Sequence, residues 1–323
     1  MFSTTPQVTA VVVSYNTREL TIRAVASLEE QRGVDVAAVV VDNGSADGSV
    51  EALRARFPQI QVIEVGENLG FGRANNLGAL HATTPYLLFL NSDAWFSDQD
   101  GLAALVEAAD RDELCAAVGP RVESEDGSLQ WSARRAPTIA RELCTRTELW
   151  RLLPQAWRSG WLLGPQFAHD RRQTVDWVIG ACMLVRTEWF HGVSGFDPAI
   201  FLYGEELDLC LRMRRSGGRI WFDPAASVIH VGGASGEGTS ARKVGRVVSG
   251  ERIALARDRG EAYAWAFSLA RAIAATVEGT LFGIAGALRG GSYRRVRARE
   301  AVHVAGSSFR ELLRPALRAG AAR

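Results

Sequence analysis

Over the first ninety residues, short runs of consecutive apolar, β-branched residues alternate with amphipathic stretches. Residues 8–13 (Val-Thr-Ala-Val-Val-Val) read as a buried strand, because an unbroken apolar run has no solvent face. Ser14-Tyr15-Asn16-Thr17 ends the run, and Thr17 is placed to cap a helix to about Glu30. Val36 to Val41 repeats the strand pattern. Asp42-Asn43-Gly44-Ser45-Ala46-Asp47-Gly48 is then a loop before a helix to about Phe57. A third strand is predicted over Ile60 to Val65, a loop over Asn68 to Gly72 and a helix through Ala82. A fourth strand follows over Tyr86 to Leu90. Strands and helices alternating at roughly 20–30 residues are the pattern of βαβ units and a mostly parallel sheet flanked by helices.

In such a sheet, ligands bind beyond the carboxyl ends of the strands. Tyr15, Asp42, Asn43, Asn68, Arg73 and Asp93 all follow strands. The first turn lacks GxGxxG, and GxxxxGK[ST] is absent from the chain. A dinucleotide dehydrogenase and a P-loop enzyme are therefore not expected.

Farther along, Ser128 to Arg135 is read as a strand, and Ile139 to Trp157 has helical spacing. Val175 to Val185 is strand-rich, with Gly180-Ala181 permitting close approach of a ligand. Glu205 to Arg215 is a helix ended by Gly217-Gly218, and Arg219 to Phe222 and Ser227 to His230 are short strands. Residues 240–290 are helical. Tyr263 to Leu288 is apolar but interrupted by Arg271 and Glu278, which argues against a clean transmembrane span. The basic run Arg289 to Arg299 follows at once. Apolar helical surface beside a polybasic patch is what contact with a membrane surface requires. The competing reading is a helical hairpin packed on the body or on a second subunit.

The overall charge of +1 conceals an asymmetry. Residues 236–323 carry 16 Lys and Arg against 7 Asp and Glu, a net of +9, which leaves −8 for residues 1–235. The division expected is a catalytic domain over 1–235 and a basic helical region over 236–323. A basic tail suits an anionic membrane surface, and a nucleic-acid partner is not expected. Met1 to Pro6 shows no signal-peptide pattern. The four cysteines are widely spaced with no CxxC, as in reduced, cytoplasmic thiols.

Glu205, Glu206 and Asp208 put three carboxylates within four positions at the start of a helical pattern. Such a cluster repels itself and raises the pKa of its members, which suits an enzyme that takes a proton from a hydroxyl. The bland reading is that acids in a first helical turn favour the macrodipole. Asn91-Ser92-Asp93 is a second acidic site.

Seven motifs in order resemble one family. They are Val11-Val12-Val13-Ser14-Tyr15-Asn16, Val41-Asp42-Asn43-Gly44-Ser45-Ala46-Asp47-Gly48-Ser49, Asn68 to Gly78, Leu90-Asn91-Ser92-Asp93, Gly195-Phe196-Asp197, Phe201 to Arg212, and His230 to Ser235. Together they look like an inverting glycosyltransferase of family 2, with a GT-A-type nucleotide-diphospho-sugar transferase fold. The subgroup most resembled is the rhamnosyltransferases acting on lipid-linked acceptors.

The resemblance implies a site. Asp93 matches the last acid of the family's metal-binding DxD, whose first position here is Asn91, with Ser92 between. The cofactor implied is Mg²⁺ or Mn²⁺, and His230 resembles a histidine that contacts metal or diphosphate. Asp42 resembles the acid that hydrogen-bonds the pyrimidine base, with Val13 and Tyr15 lining the pocket. Asn43, Arg73 and Asn76 complete the donor side. Glu206 matches the catalytic base and Glu205 its support. Trp177, Gly180, Tyr203 and Asp208 are assigned to the acceptor side or to support of the base. The donor implied is dTDP-L-rhamnose and the acceptor a saccharide or polyprenyl-diphosphate-linked saccharide, at the inner face of the cell membrane. The alternatives are a UDP-hexose or UDP-galactofuranose transferase, or an inactive nucleotide-sugar-binding scaffold.

Overall fold

The computed structural model describes residues 6–232, 241–289 and 291–314. The chain divides into two compact units. One comprises Met1–Arg135, Leu163–Phe201 and Glu205–Gly236; the other comprises Ala136–Leu162, Leu202–Gly204 and Glu237–Arg323. The helical unit thus takes in residues 136–162, which a boundary at 235 leaves with the first domain.

The first unit begins with β1 (Val8–Ser14), α1 (Arg18–Glu29), β2 (Val36–Asp42), α2 (Ser49–Arg56), β3 (Gln61–Glu64), α3 (Phe71–Ala79) and β4 (Tyr86–Asn91). β1 lies between β2 and β4, parallel to both, with Val13 opposite Val41 on one side and Asn91 on the other. β3 extends the parallel set at β2. The register leaves Ser14, Asp42 and Asn91 at the carboxyl ends of adjacent strands. β1, β2 and β4 are nearly continuous apolar runs because both faces are covered, whereas the edge strand β3 is only partly buried. Leu28 of α1 and Leu53 of α2 pack on one face. Ala74 and Ala79 of α3 pack on the other.

The sheet continues through β5 (Ala94–Phe96), α4 (Gly101–Asp110), β6 (Cys115–Glu123), β7 (Leu129–Gln130) and β8 (Ala133–Arg134). After α5 (Ile139–Arg146) and α6 (Gln155–Trp161) of the helical unit come β9 (Gln173–Val175), β10 (Trp177–Val178), β11 (Cys182–Arg186), α7 (Thr187–Gly192), α8 (Glu205–Arg215) and β12 (Arg219–His230). The main order is β3-β2-β1-β4-β11-β6-β12-β5. β7 pairs with β6, β9 pairs with β12, and β8 and β10 form a separate pair.

Three local expectations change. Thr17 does not cap α1 with its side chain. Its hydroxyl lies 2.9 Å from Ser92 Oγ and 3.1 Å from Thr21 Oγ1, tying α1 to the loop after β4. The strand expected over 128–135 is two short pieces, broken where Ser132 Oγ donates to the Pro120 carbonyl. The two strands expected over 219–230 are one, β12, with a register shift between Asp223 and Ser227. Pro224 lacks an N–H for the ladder there, and the Ala225 N–H donates to Asp223 Oδ1 instead. All four cysteines are free thiols, and burial raises the thiol pKa of Cys115, Cys182 and Cys210.

The helical unit is completed by α9 (Ala241–Arg259), α10 (Glu261–Arg289) and α11 (Ser292–Leu312). The charges that interrupt α10 point inward and are paired. Arg271 meets Glu142 at 3.0 Å and Glu251 at 2.5 Å, and Glu278 meets Arg146 at 2.7 Å and also Arg297. Burial alone would raise the Glu142 carboxyl, but Arg271 and Arg146 outweigh it and bring it to about 2. α10 is long and apolar enough to cross a membrane by length and composition, yet 44% of its apolar window is buried inside the protein.

Candidate active site

Asp42 ends β2 and is 3% exposed. The Ser45 and Gly44 N–H groups donate to its Oδ1 at 2.9 and 3.2 Å. Its Oδ2 is buried and has no hydrogen-bond partner. Gly44, at φ 86°, allows the turn to fold over the carboxylate: a side chain there would press on the Glu67 backbone at 3.0 Å. Val13, half-buried in β1, and the partly exposed Tyr15 flank this end of the sheet.

Asn43, Arg73 and Asn76 are placed differently. Asn43 Nδ2 donates to Asn68 Oδ1 and the Gly70 carbonyl, and its Oδ1 accepts from the Leu69 N–H. Asn76 exchanges two hydrogen bonds of 2.8 Å with the Phe196 backbone. Arg73 donates from Nε to the Pro198 carbonyl at 3.1 Å. These bonds tie together the loops around the site. The same loop reaches the segment that precedes the acidic helix, because the Phe71 N–H donates to the Phe201 carbonyl at 3.0 Å. A side chain at Gly70 would clash with Phe201.

Asn91 ends β4 and His230 ends β12. His230 Nε2 stands 3.3 Å from Asp93 Oδ1 and 3.3 Å from Asn91 Nδ2. Asp93 is 7% exposed, and its Oδ2 accepts from the Gly232 N–H at 3.2 Å. Ser92 turns away into the hydroxyl cluster of Thr17 and Thr21. Two ligands in adjacent positions on an ion held at about 2.1 Å stand roughly 3 Å apart, so the Asp93–His230 spacing fits a shared divalent cation. Among the described residues no three His, Cys, Asp or Glu side chains gather as a metal set. The protein thus offers a carboxylate, an imidazole and a neighbouring amide.

Glu205 and Glu206 open α8, whose last turn carries Arg212, Arg214 and Arg215. Acids first and bases last match the helix macrodipole. Glu206 is half-buried. Glu205 is 2% exposed with Oε2 unpartnered. Burial first, and the Glu206 charge second, push the Glu205 carboxyl well above the usual carboxylate range. Gly180 lies beside this pair: a side chain there would stand 3.8 Å from the Glu206 carboxyl carbon. The Asn91 N–H donates to the next carbonyl, Ala181, at 3.0 Å. The end of β4, Gly180 and Glu206 therefore share one region.

The remaining assigned residues have the following partners. Asp208, 1% exposed, is gripped by Arg212 at 2.6–2.7 Å, and Arg212 also donates to the Val193 and Gly195 carbonyls. Trp177 donates from Nε1 to the Arg135 carbonyl at 3.1 Å. Tyr203, at φ 71°, belongs to the helical unit, where its ring faces Lys243 and its carbonyl abuts Gly250. The last three residues of the motif that begins at His230 lie outside the described residues. Sequence reasoning missed Gln130, whose Oε1 lies 2.8 Å from His230 Nδ1. A lone glutamine on a two-residue strand gives no periodic or motif signal.

The glycosyl transferase family 2 model matches residues 9–191, more than half of the chain. The chain is 31% identical over 234 residues to an N-acetylglucosaminyl-diphospho-decaprenol L-rhamnosyltransferase of Mycobacterium tuberculosis, covering 68% of this chain and 74% of that protein. It is 29% identical over 175 residues to rhamnosyltransferase WbbL of Escherichia coli, covering 50% of this chain and 60% of that one. Among solved structures, mannosyltransferase PcManGT of Pyrobaculum calidifontis, in complex with GDP-Man and Mn²⁺, superposes with a TM-score of 0.61 at 19% identity, covering 96% of this chain and 88% of that one. GalNAc-T7 with UDP, GalNAc and Mn²⁺ gives 0.57 at 16% identity, covering 93% and 55%. At such identities the structural likeness speaks to fold. The chain belongs to glycosyl transferase family 2: it is a glycosyltransferase of GT-A fold and rhamnosyltransferase-like sequence.

Proposed function

We propose that this enzyme transfers L-rhamnose from a thymidine diphosphate donor to a hydroxyl of a saccharide carried on a polyprenyl diphosphate, with inversion at the anomeric carbon. The observation that carries the nucleotide-sugar reading is Asp42 Oδ2, a buried carboxylate oxygen at the carboxyl end of a parallel strand with no partner. Leaving such a group unsatisfied costs about 1–3 kcal/mol or more, and the ring N–H of thymine or uracil would satisfy it. The sugar and acceptor classes are supported by the names of the mycobacterial and Escherichia coli relatives.

In this reading Glu206 takes the proton of the acceptor hydroxyl as its oxygen attacks the anomeric carbon in line. The bond from sugar to diphosphate breaks, the nucleoside diphosphate leaves, and no covalent intermediate forms. The acceptor would then lie beside Gly180, where a side chain would stand 3.8 Å from the Glu206 carboxyl carbon. Asp93 and His230, with Asn91 adjacent, would hold Mg²⁺ or Mn²⁺, which when bound offsets the charge of the departing diphosphate. Burial first, and the Glu206 charge second, raise the Glu205 carboxyl, which disfavours a second charge beside Glu206.

The acceptor's lipid suggests where the enzyme works. Between residues 262 and 288 of α10 no exposed residue is charged. Trp265, Ile273, Val277, Leu281, Ile284 and Leu288 are each 48–78% exposed. This face, followed by exposed Arg295 and Arg299 on α11, suits an anionic membrane surface.

Thermal shift with a panel of nucleotide sugars, with and without Mn²⁺, tests the donor. Stabilisation by dTDP-rhamnose above UDP-hexose and UDP-galactofuranose, greater with Mn²⁺, is expected. Preference for a UDP sugar would replace the donor, and no response to any of the panel would remove the reading.

A further inference from the structure

We propose that Gln130 is a positioning residue that fixes the ring tautomer of His230, so that Nε2 presents a lone pair to the gap beside Asp93. The proposal rests on the metal site described above. Gln130 Nε2 lies 2.6 Å from the His230 carbonyl oxygen and 3.0 Å from Ser124 Oγ. A carbonyl only accepts, so the amide atom facing it must be the NH₂ group. That orientation leaves Gln130 Oε1 as the atom 2.8 Å from His230 Nδ1. An amide oxygen only accepts, so Nδ1 carries the proton.

In the neutral ring Nε2 is then unprotonated. It faces Asn91 Nδ2, which can donate to it, and Asp93 Oδ1, which cannot. A lone pair and a carboxylate oxygen held 3.3 Å apart repel each other unless a cation lies between them. Gln130 and the His230 carbonyl thus close a loop that holds the histidine by its own backbone and sets which nitrogen meets the ion. Hydrogen bonds to the far nitrogen of a ligating histidine orient the ring and raise its basicity as a ligand. β7 brings Gln130 there: its pairing sets Gln130 opposite Val122 and Leu129 opposite Glu123 of β6, and those two residues pair on their other side with Val228 and Ile229 of β12.

The test uses full-length, metal-free protein with its histidine ring nitrogens isotopically labelled, and NMR to read the tautomer. A His230→Ala sample assigns the signal among the five histidines. Wild-type His230 is expected to carry its proton on Nδ1. Gln130→Met, similar in size but without the amide, is expected to lose that preference. Gln130→Glu, which still accepts from Nδ1, is expected to keep it. Titration of free Mn²⁺ by electron paramagnetic resonance adds a second readout. Gln130→Met should weaken binding by roughly 10–100-fold, and Gln130→Glu, which keeps the acceptor for Nδ1 but loses the donor to the His230 carbonyl, should weaken it less. A wild-type proton on Nε2 overturns the proposal. So does a folded Gln130→Met protein with tautomer and Mn²⁺ binding both unchanged. If wild type binds no Mn²⁺ but the tautomer follows Gln130 as described, the metal reading fails and the orienting role of Gln130 stands.

Discussion

Glu205 and Glu206 are neighbours in one helical turn with unlike surroundings, a difference that supports the proposed division of roles. The raised pKa of Glu205 makes a statement about stability. Its folded-state value lies above the ordinary 4.5, so the fold binds this proton more tightly than the unfolded chain does. Its contribution is fully present below the ordinary value and is lost as pH rises toward the raised one. Glu205→Gln should therefore melt above wild type near pH 8, with the gap closing toward about pH 4.5, in calorimetric scans across that range. Asp42→Asn keeps an acceptor for the Gly44 and Ser45 N–H groups but loses the charge at Oδ2. Titration calorimetry should show dTDP binding weakened by roughly 10–100-fold, the range for a hydrogen bond to a charged group. Asp42, Asp93 and Glu206 stand out in the sequence because carboxylates after strands or opening a helix have few bland uses. The loop-clamping bonds of Asn43 and Asn76 were not legible there. An asparagine that binds a ligand and one that clamps a loop look alike until the partners are known, and here the partners are Leu69, Gly70 and Phe196.

Among elements, β1, β2 and β4 were legible because burial on both faces writes itself as continuous apolar runs, with the partly buried edge strand β3 following by its spacing. The later strands were less so. β12 hides its continuity behind Pro224, and β7 and β8 are two residues each, too short for any period to show. The helical unit holds a contact that sequence could not suggest. The turn Leu202–Gly204 packs on α9 at Gly250, and a side chain at 250 would run into the Tyr203 carbonyl. Gly204 itself, at φ 102°, approaches Gly250 closely. Gly250→Ala should thus lower stability by about 1–3 kcal/mol through overpacking, read as a reduced melting temperature. The same substitution at Gly283, where a side chain meets open space, should be tolerated.

For the whole molecule, the charge asymmetry seen in the sequence has a structural counterpart. Arg297, counted in the basic run, pairs inward with Glu278, whereas Arg295 and Arg299 remain exposed. The charges that made α10 an unlikely span are accounted for within the helical unit, leaving an uncharged exposed face. On the proposed reading, the enzyme should co-sediment with vesicles containing anionic lipid more than with neutral ones, and less at high salt. A Leu281→Glu, Ile284→Glu double variant should lose most of that binding while nucleotide binding stays intact. Equal binding by the variant would point to a different surface.

Glu206 as the base of the transfer is the central claim, and turnover of Glu206→Gln at saturating donor and acceptor tests it most directly. With nucleotide-sugar binding and melting temperature unchanged, transfer should fall by roughly 10²–10⁴-fold, the range for loss of a general base. Turnover at the wild-type rate in an intact, donor-binding protein would contradict the account.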